Sequence, residues 1–330
     1  MVMGSTSAYD ALLIVSFGGP EKPEDVMPFL ENVVRGRGVP RERLLAVEAH
    51  YQGFGGVSPI NQQCRDLIDA LDVDLPVYWG NRNWQPFLED TVRQMAADGV
   101  TRAAAFVTAA YSSYSSCRQY LDDIDRARAA VPGAPEIVKL RHYYDHPGFI
   151  AAMADHTRAA LDALPASERG AARLVFTAHS IPVSMAQTAG PQGGAYEAQL
   201  RKAAALVTEQ VDPARSWDLA WQSRSGPPSV PWLEPDICDH LERLHDDGVR
   251  AVVTVPIGFV SDHMEVIYDL DVEAAAMAEK LGMAFTRAST AGTHPRFVSM
   301  VSELLAEPVP ARCAALCCPA PRRRPTPDAS

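Results

Sequence analysis

Asp262, Glu265, Asp269 and Glu273 stand three, four and four positions apart in the stretch from Ser261 to Glu273. They follow an apolar run, Ala251 to Val255, and the turn Pro256-Ile257-Gly258-Phe259. That order predicts a buried strand, a loop at its carboxyl end and then a helix. On a helix the four acids fall along one stripe. Like charges so spaced cost a helix roughly 0.2–0.5 kcal/mol per pair. A carboxylate row beside His263, opening where α/β sheets bind ligands, suits proton removal or the passage of a hard cation. A solvated acidic face is the plainer alternative.

His179 ends a second apolar run, in Val175-Phe176-Thr177-Ala178-His179-Ser180-Ile181-Pro182. An open α/β fold displays reactive side chains at such strand ends, and a neutral imidazole accepts protons near neutral pH. A histidine that only satisfies backbone groups would occupy the same place. Three more segments draw notice: Ser16-Phe17-Gly18-Gly19-Pro20, the stretch from His50 to Pro59, and the loop from Trp221 to Trp232. In the second, Gly55-Gly56 lets Ser58 and backbone approach a ligand at the amino end of a helix, where an anion is favoured. A helix cap would use the same residues. The Ser/Tyr-rich stretch Thr108 to Cys117 again follows an apolar run.

The elements that position these groups alternate. Strands are predicted at Ala11–Ser16, Val73–Tyr78, Ala103–Thr108, Glu136–Leu140, Leu174–Ala178, Leu219–Trp221, Ala251–Val255 and Ala284–Thr286. Between them lie amphipathic segments of helical length, which implies βαβ units and parallel sheets covered by helices. The pattern repeats on either side of a polar run at Arg141–His146. The fold class is therefore α/β, with two doubly wound Rossmann-like domains, 1–145 and 146–307, whose parallel sheets face a cleft. A Cys/Pro/Arg-rich tail, 308–330, cannot build a core and is disordered unless its cysteines are tied down.

Composition narrows the function. At 330 residues, with 47% hydrophobic and 22% charged residues, the chain is an ordinary globular one. A net charge of −11 disfavours nucleic acid as a partner. No apolar run reaches transmembrane length and residues 1–9 lack signal-peptide character, so a cytoplasmic location is expected. Cys64 and Cys238 read as small core residues. Cys313, Cys317 and Cys318 crowd into the tail, and such a cluster in a cytosolic chain suggests metal before disulfide.

Several of these strings together resemble the ferrochelatase family, whose members insert ferrous iron into a porphyrin. They are Ser-Asp-His-x-Glu-x-x-Tyr-Asp-Leu-Asp after Pro-Ile-Gly-Phe, Ala-His-Ser-x-Pro at His179, Gln222-Ser223-Arg224-x-Gly226-Pro227, Gly18-Gly19-Pro20, and Tyr51-x-x-x-Gly55-Gly56-x-Ser58-Pro59. The resemblance covers residues 9–305 and implies a chelatase-like fold. It implies that His179 accepts the pyrrole protons and that Glu265, Asp269 and Glu273 relay protons or metal. His179 and Glu265 would hold the incoming Fe²⁺ weakly. It also implies a π-type bulge in the acid-bearing helix.

For the substrate, the resemblance implies contacts from Phe17, Tyr51, Ser58, Tyr111, Ser112, Arg224 and Trp232. An aromatic and a cation beside a cleft suit a flat anionic macrocycle. Two departures stand out. Many relatives carry Tyr or Met at position 17, where Phe17 can shape the pocket but not ligate iron. The loop before Trp232 is two residues longer than the family's. No nucleotide or redox cofactor is implied for the reaction. Some ferrochelatases, the actinobacterial type included, hold a [2Fe–2S] cluster, and Cys117 with Cys313, Cys317 and Cys318 would supply its four thiolates. A structural zinc site, or no site, is the alternative.

The short segment between Phe29 and Tyr51 and the cluster-type tail point to the form acting on coproporphyrin III, giving Fe-coproporphyrin for haem synthesis. Arg35, Arg37, Arg41 and Arg43 suit a substrate with four propionates. Protoporphyrin IX is the alternative substrate. A cobalt or nickel chelatase and a non-catalytic bilobed carrier of haem or metal are the rival functions; a carrier would not need the acid row. The partners implied are porphyrin and ferrous iron, with transient contact to neighbouring enzymes of haem synthesis.

Overall fold

A computed structural model describes residues 8–36, 38–227, 229–314 and 316–320. Arg37 and the far end of the tail lie outside the described residues. The first half runs β1 (Ala11–Ser16), α1 (Val26–Val33), α2 (Arg41–Gly53), α3 (Ile60–Ala70), β2 (Val77–Asn81), α4 (Leu88–Ala97), β3 (Arg102–Val107), α5 (Gln119–Ala130) and β4 (Glu136–Lys139). Next come α6 (Pro147–Ala163), α7 (Ala166–Arg169), β5 (Arg173–His179), α8 (Val183–Gln187), α9 (Ala195–Val211), β6 (Trp217–Gln222), α10 (Ile237–Asp246) and β7 (Ala251–Val255). The chain closes with α11 (Met264–Val266), α12 (Ala275–Lys280), β8 (Ala284–Arg287) and α13 (Pro295–Ala306). A π-helical stretch, Ile267–Ala274, joins α11 to α12, and another, Tyr114–Arg118, leads into α5.

The strands form two four-stranded sheets, ordered β2-β1-β3-β4 and β6-β5-β7-β8, with every pairing parallel. Every residue of β1 and of β7 is buried, which is why both read as unbroken apolar runs rather than alternating ones. Strand order reverses between β1 and β3 in one sheet and between β5 and β7 in the other. The crevices at those reversals are where such sheets bind ligands.

One core unites the two sheets. It carries Leu12, Ile14 and Phe106 from the first and Leu174, Phe176 and Val253 from the second, with Phe149 of α6 and Phe297 of α13 among them. The Phe297 ring lies 6.1 Å from Phe106, so the last helix returns to pack on the first sheet. The outer faces have cores of their own, under α4 and α5 and under α10 and the π-helical stretch.

Two expectations shift. The second strand starts at Val77 rather than Val73, because it pairs with β1 only after Pro76, whose carbonyl receives the Leu12 N–H. The helix α2 had no apolar stripe to announce it, since it buries only Leu44. Together α1 and α2 form a lip, held by a small cluster of Val26, Phe29, Leu30 and Leu44 with Phe17 and Tyr51 packed against it.

Candidate functional site

His179 is the last residue of β5, beside Gln222 at the end of β6. Its Nδ1 meets the Ser180 carbonyl oxygen, so that nitrogen must carry the hydrogen and donate it. Nε2 is left to face Glu265 Oε2 at 3.7 Å. The Tyr196 hydroxyl donates to the His179 carbonyl and fixes the strand end. Both partners are partly open, the His179 side chain at 31% and Glu265 at 49%, so the pair faces solvent-filled space rather than core.

His263 is the N-cap of the acid-bearing helix: its Nδ1 accepts the Glu265 N–H. Burial holds its pKa below the ordinary value, which suits an acceptor in that place. The cap sets where the helix starts, and Asp262 is consequently outside it. Asp262 pairs with Arg287 at 2.7 Å and does not belong to the acid row. Glu265, Asp269 and Glu273 remain. Asp269 and Glu273 lie in the π-helical stretch Ile267–Ala274, whose wider turn draws four-residue steps closer into line.

Asp269 is the most perturbed of the three. Gln222 Nε2 donates to its Oδ2 at 3.3 Å, and the Ser223 hydroxyl donates to the same oxygen. Burial, helped by the Glu265 and Glu273 charges, pushes the carboxyl up to about 7 against those hydrogen bonds. Burial and Asp236 also raise Glu273, while His50 draws it down. A carboxyl that titrates near neutrality between two others can take up and release protons in turn. Gln222 and Ser223 stood in a quoted motif, but nothing in their spacing tied them to Asp269. The link comes from the end of β6 meeting the π-helical stretch that follows β7.

The other expected contacts divide into two groups. Phe17, Tyr51, Arg224 and Trp232 are partly open, and Ser58 is buried. Phe17 and Tyr51 flank Phe29 at 6.2 and 6.1 Å. Arg224 reaches the Val230 carbonyl at 3.3 Å and Glu234 at 3.4 Å. Trp232 lies on Gly226, where a Cβ would sit 2.4 Å from the indole, so only glycine fits. Tyr111 and Ser112 are buried and engaged across the two sheets: the Tyr111 hydroxyl donates to the Ile257 carbonyl at 2.8 Å, and Ser112 exchanges hydrogen bonds with Gln199. In the lip, Arg35 binds Asn32 and Arg41 lies 3.4 Å from Glu31.

The tail cysteines require a correction. Cys117, Cys317 and Cys318 do meet, with Leu121 against them, and all six cysteines are free. The Cys318 Sγ accepts the Gly190 N–H, and Arg118 donates to the Cys317 and Ala314 carbonyls. Contact with Cys117, then burial, raises the Cys313 pKa, and burial raises that of Cys317. Among the described residues no group of three or more His, Cys, Asp or Glu could hold a metal ion. The expected [2Fe–2S] cluster on Cys117, Cys313, Cys317 and Cys318 is therefore not supported, and these residues serve to seat the tail.

The fold is that of the chelatases. SirB from Bacillus subtilis with Fe³⁺ superposes with a TM-score of 0.53 at 15% identity, over 90% of this chain and 95% of that one. The sirohydrochlorin chelatase SirB from Bacillus subtilis subspecies spizizenii, in complex with cobalt, gives 0.52 at 12%, over 89% and 93%. At such identities the likeness is one of fold alone. The ferrochelatase family model matches residues 9–309, and the chain belongs to the ferrochelatase family. The coproporphyrin III ferrochelatase of Nocardia farcinica is 58% identical, over 96% of this chain and 98% of that protein. Those of Frankia alni and Mycolicibacterium smegmatis are 53% and 55% identical, over 96% and 91% of this chain and 88% and 90% of theirs. Among the described residues no helix is long and apolar enough to cross a membrane.

Proposed function

We propose that this enzyme inserts Fe²⁺ into coproporphyrin III to give Fe-coproporphyrin for haem synthesis in the cytoplasm. Relatives bearing that name at 53–58% identity over nearly the whole chain support the substrate. The observation that carries the mechanism is Nε2 of His179 facing Glu265, with Asp269 poised near neutrality behind them.

The reaction removes two pyrrole N–H protons and places one dication, so the charge at the ring centre is conserved. His179 Nε2 takes the two protons one after the other, and each imidazolium so formed is stabilised by Glu265 and hands its proton to it. Glu265 passes the proton to Asp269, and Glu273 delivers it to solvent. His179 and Glu265 also offer nitrogen and oxygen donors that bind Fe²⁺ loosely enough to release it. Phe17, Tyr51, Ser58, Arg224 and Trp232 contact the macrocycle, while Tyr111 and Ser112 wall the cleft. Arg41 and Arg43 on the lip meet propionates.

The test is a substrate panel under anaerobic conditions with Fe²⁺. Metallation of coproporphyrin III should proceed with a higher kcat/KM than that of protoporphyrin IX. The reverse order would overturn the substrate, and no metallation of either would leave a carrier.

A further inference from the structure

The helix α2 packs on α1 through Leu44, Val47 and Tyr51, and of its thirteen residues only Leu44 is buried. Its last turn also reaches the acid-bearing helix. The His50 ring lies parallel to Tyr268, 4.1 Å between centroids and 12° between planes, and Phe54 meets the same ring edge-on at 6.5 Å. Tyr268 immediately precedes Asp269 within the π-helical stretch. The residue after His50 faces the same row: burial, and after it the Glu265 charge, raises the Tyr51 hydroxyl pKa. His50 itself acts on Glu273. Two successive lip residues thus bracket the acid row, from Glu265 to Glu273, out of the domain that does not carry it.

Such a bracket answers a physical need. Carboxylates one helical turn apart repel and favour splaying, and a π-helical turn is a rare conformation that needs support from its surroundings. A ring stacked on Tyr268 supplies that support at the row's midpoint. We propose that His50, through its stack on Tyr268, is a positioning residue that holds the acid row in place across the cleft. The proposal rests on the relay reading of Glu265, Asp269 and Glu273.

The test compares His50→Ala, His50→Phe and Asp269→Asn in steady-state metallation of coproporphyrin III by Zn²⁺, followed by fluorescence. Loss of one aromatic stack should lower kcat by roughly three- to tenfold in His50→Ala, with a smaller change in KM for the porphyrin. His50→Phe should recover most of kcat, because a flat ring can restack. His50→Ala combined with Tyr268→Ala should be no worse than Tyr268→Ala alone, since the stack is already lost in that variant. A His50→Ala variant at parental kcat beside an impaired Asp269→Asn would overturn the proposal and spare the relay. A loss confined to KM, or one that His50→Phe does not recover, would also overturn it. Asp269→Asn at full kcat would remove the relay, and this positioning role with it.

Discussion

Ser223 donates its hydroxyl to Asp269 Oδ2 from a left-handed backbone, with φ at 62°. A residue other than glycine held there costs on the order of 1–3 kcal/mol and persists only where surrounding structure imposes it. Here the twist turns the chain leaving β6 back toward the acid row. The hydroxyl then favours the ionised form of a carboxyl that burial would otherwise keep protonated.

Replacing Ser223 should therefore separate strain from chemistry. Ser223→Gly relieves the backbone and Ser223→Ala does not, but both lose the hydrogen bond. Both should move the limb assigned to Asp269 in the pH–rate profile to higher pH, and only the alanine variant should melt at a lower temperature. Unchanged profiles would mean that this hydroxyl does not tune Asp269.

The Asp269 carboxyl also makes stability depend on pH. Unfolded, it titrates at its ordinary 3.8, and folded, at about 7. Below 3.8 it is protonated in both states and contributes nothing. As pH rises through that window the folded state keeps a proton that the unfolded state has lost, so stability falls and then levels off above the folded value. The full penalty is about 4 kcal/mol at about 1.4 kcal/mol per unit. Asp269→Asn should accordingly gain in melting temperature over the parent from pH 4 to pH 7, with no further gain above. Parallel curves would show that burial exerts no such penalty.

His179→Ala should fold normally and turn over roughly 10²-fold more slowly or worse, as loss of an acid–base group does. Along the row the loss should be graded, severe in Glu265→Gln, intermediate in Asp269→Asn and mild in Glu273→Gln. Initial rates and melting curves measured together decide this. Equal and negligible losses in all three would make the row ordinary solvation.

Tyr111→Phe should weaken the union of the two sheets. It leaves the buried Ile257 carbonyl without its partner at the meeting of the β3 and β7 loops. The expected cost is about 1–3 kcal/mol in denaturant unfolding. A variant as stable as the parent would mean that the carbonyl finds another donor.

What the sequence determined by itself was local. Unbroken apolar runs marked β1 and β7, because a strand buried on both faces has no polar side to alternate with. A histidine after one run and an acid row after another put the candidate site at strand ends. Distinct strings were enough to point to the family. Spacing, however, also put Asp262 in the row, and only the His263 cap and the Arg287 pair removed it. The α2 helix carries no apolar stripe to mark it, since it buries only Leu44, and its stack of His50 on Tyr268 joins residues 218 positions apart. Thiol proximity was legible in the tail, but not the packing of Cys117, Cys317 and Cys318 with Leu121 or the Gly190 N–H that Cys318 accepts. Which carboxyl faces His179, and which one Gln222 and Ser223 tune, was decided by the tertiary structure. Periodicity fixes the face of one element, whereas meetings across a cleft depend on how two sheets pack, and no local pattern encodes that.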